Sequence, residues 1–416
     1  MKKFFMLTII LLFSLCFFTY NFYNDSSIDD TSINNIKPQN MLSIMLESND
    51  GSGNYVMTTQ NSWPTDGYVF NSELSKCENG GTLSWNKTNK MVEFSGNNID
   101  KCYVYFDVDT SMSLAEYVVS QYTGTQGVNG IYYHDANLTN GAGDNSYRYA
   151  GANPNNYVCF GSDDATCPSD DLYRIIGVID GKIKLISADG ATTTMLGTDE
   201  GYVKTYQAAF GSDSSYYKGN GDLTKIGTYK WNKSGTNTWS TSTTNTTNLN
   251  TNYLTYLDSK NTKWKTMIDD TTWYVGGMTY TNGFYSNAKK AYNYEVGSNK
   301  DATTTVTSKI GLMYVSEYYY GATPDYWTLP GYNSSGNDYS KAVNDNWLYT
   351  GLYECTISRR SDASVSEFVV LGSGSVGDDD VGNSLGNVLR PSFSLSSSIK
   401  FTSGEGTAVN PIRIQL

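Results

Sequence analysis

The chain has 416 residues, 29 basic against 41 acidic, a formal charge of -12, and charged residues at 17%. The acidic balance disfavours nucleic acid as a partner, because that binding rests on Lys and Arg contacts to phosphate. A single histidine, His134, excludes multi-His metal centres and leaves one candidate for any His-based triad. Lys2 and Lys3 precede the apolar run Phe4 to Phe18, the layout of a secretory signal. A run of about 20 residues also reaches across a hydrocarbon core. Residues 1–23 are therefore expected to be a signal-anchor helix or a signal peptide, and 24–40 a polar tether. Outside the cytoplasm thiols tend to pair. Cys77 with Cys102, and Cys159 with Cys167, each bracket a short segment and are the expected disulfides. Cys355 is left over and reads as a small buried hydrophobe.

Residues 41–109 alternate short β-rich fragments with Gly, Asn and Asp turns. They predict a small disulfide-bonded, β-sandwich-like domain. Trp85 between two cysteines makes it resemble an immunoglobulin-like core. Residues 111–416 are expected to form a larger α+β domain, so the fold class is α+β and β-rich. SLAEYVVSQY (113–122) has helical spacing, with Ser111 or Ser113 as its cap. LYRIIGVIDGKIKLIS (172–187) predicts a hairpin turning at Asp180-Gly181. About 190–250 reads as a polar insertion, and WSTSTTNTTNLN as exposed low-complexity chain. Residues 251–270 look helical, with an interruption near Ser259 to Thr262. Strands then alternate with Gly-rich loops to the C-terminus.

The stretches DNSYRYAGANPNNYVCFGSDDATCPSDDLYRIIGVIDGKIKLI, WYVGG, KIGLMYVSEYYY, WLYTGLYECTISRRSD and VLRPSFSLSSSIKFTSGEGT resemble a family of uncharacterised surface-anchored proteins of low-GC gut bacteria. That resemblance implies secretion but no established chemistry. Within 347–395, a Trp-containing strand, an Arg after Ser, a Gly turn and Val-x-Arg-Pro resemble the C-terminal core of C-type-lectin-like folds. Those include the sulfatase-modifying, formylglycine-generating group. The resemblance implies a twisted antiparallel core with long variable loops. The oxidases of that group need paired cysteines, and this half offers only Cys355.

No P-loop or dinucleotide fingerprint is visible. The acidic run Asp378, Asp379, Asp380 and the run Asn344-Asp345-Asn346 are oxygen-rich, and calcium takes oxygen ligands. The three aspartates are the metal candidates and calcium the one cofactor considered. Arg359 and Arg390 read as structural cations paired with Glu354 or Glu367. Tyr, Ser, Gly and Asn abound, the residues binding surfaces favour. Loops 130–160 and 316–346 are the candidate surface, with Tyr318, Tyr319, Tyr320, Trp327 and Tyr332 as ligand-binding candidates. The expected function is a non-catalytic binding or adhesion protein, secreted or held at the outer face of the membrane by its N-terminal segment, with glycan or protein as ligand. The alternatives are an extracellular glycan hydrolase using paired carboxylates, or a structural cell-surface component. No catalytic residue is assigned.

Overall fold

The computed structural model describes residues 41–48, 53–58, 63–64, 67–86, 89, 91–96, 100–109, 112–300, 303–333 and 335–415. The expected signal segment and tether, 1–40, lie outside the described residues. Among the described residues no helix is long and apolar enough to cross a membrane. The chain is β-rich, about 34% strand and 22% helix. It divides into two compact units between Asp109 and Thr110.

Among its described residues the N-terminal unit has six strands: β1 (Met41–Glu47), β2 (Tyr55–Met57), β3 (Tyr68–Cys77), β4 (Thr82–Asn86), β5 (Met91–Ser95) and β6 (Lys101–Val108). Four form a sheet in the order β2-β1-β6-β3, with β1 and β6 parallel, and β4–β5 is a separate hairpin. The period-2 pattern of β6 buries Cys102, Val104, Phe106 and Val108 on one face. Ile44, Val104 and Phe106 from the sheet meet Val92 of the hairpin, with Leu83 and Trp85 packed against them. Trp85 sits edge-on to Phe106 at 5.7 Å. Cys77 and Cys102 are bonded, as expected. They are register partners on neighbouring strands β3 and β6. An immunoglobulin disulfide spans two sheets instead. The tryptophan and cysteines thus occupy a different arrangement from the one their order resembles.

The C-terminal unit contains β7 (Ile131–Tyr133), β8 (Tyr147–Tyr149), β9 (Tyr157–Cys159), β10 (Leu172–Ile179), β11 (Lys182–Ser187), β12 (Tyr202–Thr205), β13 (Gly227–Tyr229), β14 (Thr271–Gly276), β15 (Thr303–Ser308), β16 (Ile310–Gly311), β17 (Glu354–Arg359), β18 (Ser366–Val370), β19 (Val376–Asp380), β20 (Asn387–Val388), β21 (Ser392–Ser394), β22 (Lys400–Ser403) and β23 (Arg413–Gln415). One sheet runs β16-β21-β11-β10-β8-β7, with β9 also on β10; a second runs β12-β13-β20-β17-β18-β19. The β10–β11 hairpin turns at Asp180 (φ 50°) and Gly181 (φ 72°), both left-handed as a type I′ turn requires. Cys159 and Cys167 form the second disulfide. The opening helix Leu114–Ser120 carries a capping box: the Glu116 amide donates to Ser113 Oγ, and the Ser113 amide to Glu116. Its buried Tyr117 stacks on Phe401 at 3.8 Å.

The run 239–250 is not the exposed chain its composition suggests: only Ser240, Thr241 and Thr246 are exposed. Trp239 is buried, and Thr244–Tyr253 winds as a π-helix that buries Asn245, Asn248, Leu249 and Tyr253. Amide side chains make this stable by satisfying buried backbone groups. Asn248 donates to the carbonyls of Leu196 and Glu200. Asn250 donates to the Ile310 carbonyl and accepts from its amide. The following helix is broken at Asn261, which is extended and caps Thr262–Thr266 by accepting from the Lys263 amide.

Candidate functional site

The site is built on β8, β10 and β11. Gly177 of β10 is the register partner of both Lys184 on β11 and Arg148 on β8. Antiparallel partners share a face, so the two cations flank a position without a side chain. The backbone closes tightly there: a Cβ on Gly177 would lie 2.2 Å from the Tyr147 carbonyl oxygen.

Above this floor is a pocket of about 440 Å³. Lys184 Nζ donates to Glu317 Oε1 at 2.6 Å. It lies 4.8 Å from the Trp273 ring and 4.7 Å from that of Tyr314. Arg148 donates to Asp144 at 2.7 Å and to Ser146 Oγ at 2.8 Å, and lies 5.8 and 5.6 Å from the rings of Tyr292 and Tyr320. Glu317 is fixed by its place in the helix Val315–Tyr320, where its second oxygen accepts the Tyr314 amide at 2.9 Å. Tyr274 of β14 and Tyr292 of the helix Ala288–Glu295 complete the walls. At the end of the Tyr292 helix, burial pushes Glu295 up to about 7, although the amides of Val315 and Ser316 and the Ser358 hydroxyl donate to it.

Burial lowers the Lys184 ammonium below its ordinary value, against the pull of Glu317. Burial works against ionisation of Asp144, but Arg148 and Ser146 win and hold its carboxyl well below the usual range. Each cation of the floor thus has a carboxylate of its own. The arrangement suits a small polar ligand with one apolar face, held by adjacent donors and acceptors.

The expected tyrosine surface is placed elsewhere. Tyr318, Tyr319, Tyr320 and Trp327 are all at most 1% exposed. They belong to a helix buried on every side and the turn after it. Tyr318 donates to the Gly374 carbonyl, Tyr320 to that of Asn140, and Trp327 to that of Ala322. Tyr332 is exposed, with Phe284 edge-on at 5.6 Å and exposed Tyr280 and Tyr285 on the same short segment as Phe284. His134 is buried edge-on to Tyr320, and burial lowers its pKa well below the ordinary value.

Asp378, Asp379 and Asp380 are not a loop but the end of β19. Asp378 accepts from Arg360 at 2.7 Å, and Asp379 from Asn383 and Asn387. Arg390 pairs with Glu354 at 3.2 Å, both buried. Arg359 is the register partner of Glu367 and donates to Asn237 at 3.5 Å. Cys355 is free and buried, donating to Glu367 at 3.4 Å; burial raises both pKa values.

Lys184, Glu317, Arg148, Trp273 and Tyr292 were not singled out by sequence reasoning. Two signals were present: a lysine between Ile183 and Leu185 in an otherwise apolar strand, and a glycine inside the β10 run, which marks a bulge or close backbone approach. No family model, curated protein or solved structure matches the chain.

Proposed function

We propose that the chain is a non-catalytic binding or adhesion protein of the cell exterior, secreted or membrane-tethered, and that the pocket over Gly177 takes a glycan. The observation that carries this is the pairing of aromatic walls (Trp273, Tyr274, Tyr292 and Tyr314) with two ion pairs in the floor, Lys184–Glu317 buried and Arg148 meeting a half-buried Asp144. A sugar ring offers apolar C–H faces and hydroxyls that both donate and accept. Rings pack on the first, and an ion pair supplies a donor and an acceptor side by side for the second. The volume lies in the range of small-ligand pockets, roughly 300–1,000 Å³. Two disulfides suit an oxidising compartment. The C-type-lectin-like assignment of the larger unit belongs to the same proposal.

The hydrolase alternative needs one carboxyl kept protonated as an acid near its partner. The carboxyl raised towards neutrality, Glu295, is fully buried and does not line this pocket, which favours binding over cleavage. Calcium at Asp378 to Asp380 would compete with Arg360, Asn383 and Asn387 for their oxygens. The test is binding of the full-length chain to a glycan panel, with calcium and with EDTA. Saturable binding in both buffers, lost in Tyr274→Ala, is the expected result. Binding abolished by EDTA would move the site to the aspartates. No binding to any glycan would overturn the reading.

A further inference from the structure

The C-terminal unit has a second, larger pocket, of about 630 Å³, lined by parts of β10, the loop 217–222 and the loop 343–350. Its charged lining is Arg174, Lys218, Lys225 and Lys260 against Asp170, Asp189 and Asp222. The acids are largely spoken for. Asp189 organises the 217–221 turn, accepting from the amides of Gly190, Asn220 and Gly221 and from the Tyr217 hydroxyl. Asp222 caps Thr224 and pairs with Lys225. Lys260 pairs with Asp171.

Arg174 is different. It is 6% exposed, and it has no carboxylate partner among the described residues. Its guanidinium lies between the rings of Tyr157 at 4.2 Å and Trp347 at 4.6 Å. Its hydrogen bonds go only to neutral acceptors. Nε donates to Asn156 at 2.8 Å and Nη2 to the Pro154 carbonyl at 3.0 Å. Two further bonds, to Asn153 and to the Trp347 carbonyl, are long at 3.3 and 3.4 Å. A guanidinium has five N–H donors, so one on Nη1 is unspent. A buried charge without a counter-charge is costly. Ring faces and carbonyl dipoles reduce that cost without cancelling the charge. Lys218, exposed on the pocket's lining, donates to Asn344 and lies over the Tyr349 ring, again with no carboxylate partner among the described residues.

We infer that this second pocket is an anion site, taking a small oxyanion (carboxylate, sulfate or phosphate) between the edge of Arg174 and the Lys218 ammonium. The flat, aromatic-clamped guanidinium supplies N–H donors held in one orientation, and charge-assisted bonds to an oxyanion are among the strongest available. The site is separate from the glycan pocket, and either proposal can fail without the other.

The test is calorimetric titration of the full-length chain with sodium sulfate, sodium phosphate, sodium glucuronate and glucose, at ionic strength matched with sodium chloride. The expected result is saturable binding of at least one oxyanion and none of glucose. Glucuronate binding more tightly than the inorganic ions identifies a carboxylate carried on a sugar; sulfate or phosphate binding as tightly identifies a free ion. Arg174→Lys keeps the charge, loses the fork and weakens binding by about tenfold or more. Lys218→Gln, at an exposed position, weakens it by about threefold. If Arg174→Lys does not fold, Lys218→Gln decides. No saturable oxyanion binding, or unchanged affinity in the folded variants, overturns the inference and leaves Arg174 as a structural clamp.

Discussion

Two pockets of the C-terminal unit, the one over Gly177 and the one lined by Arg174, hold their buried cations in opposite ways. Over Gly177, Lys184 and Arg148 each meet a carboxylate at 2.6 and 2.7 Å. In the second pocket Arg174 meets two ring faces and neutral oxygens. Both solutions desolvate a charge, but only the first neutralises it. A neutralised floor favours an uncharged, hydroxyl-rich ligand; an uncompensated one favours an anion.

Removing a partner in the first pocket is expected to have the largest effect. Lys184→Met leaves Glu317 buried without its cation, a loss of about 3–5 kcal/mol by chemical denaturation. A loss under 1 kcal/mol would mean that the pair is neutral or solvated, and the contrast between the pockets would collapse. Gly177→Ala comes next. Its Cβ would meet a backbone oxygen, so the strands must part, at about 1–3 kcal/mol. Glycan binding should fall with it, while oxyanion binding stays.

Asp144→Asn sharpens the comparison through pH. Asp144 has a folded pKa below its ordinary 3.8. The stability it contributes is present above that value and is lost as pH falls through its lowered folded pKa. The gap between the wild type and Asp144→Asn, about 2 kcal/mol near neutrality, should therefore close in acid. A gap that stays constant to pH 2 would show that the carboxylate is not specially stabilised. Arg174→Met is expected to be the mildest, at about 1–2 kcal/mol, because no carboxylate is stranded. Its gap to the wild type should not close in acid. A loss matching that of Lys184→Met would mean a hidden counter-charge beside Arg174.

Local features were legible because their causes are local. Asp180-Gly181 turns the hairpin since both residues tolerate positive φ. Ser113 and Glu116 cap the first helix within four residues. The cysteines pair as their spacing predicts. The break at Asn261 falls inside the expected interruption. The tyrosines were misleading for a physical reason. Tyrosine has an apolar ring and a polar tip, so it suits a wet face or a core with one acceptor near its oxygen. Tyr318 and Tyr320 are buried with their hydroxyls on carbonyls, Tyr319 is buried for its ring alone, and Tyr332 stays exposed. The Ser/Thr/Asn run misled in the same way, since its amides satisfy buried carbonyls as readily as they bind water.

The sequence by itself determined the β-rich class, the two disulfides, the hairpin, the serine-capped first helix and the helix break, because each depends on a few consecutive residues or on thiol spacing. Only the tertiary structure decided which polar residues are buried and where two cations flank a glycine. Gly177 meets Lys184 and Arg148 across three strands, and Arg174 meets Trp347 from 173 residues away. Those meetings are set by sheet order and register, which no local pattern of residue types encodes.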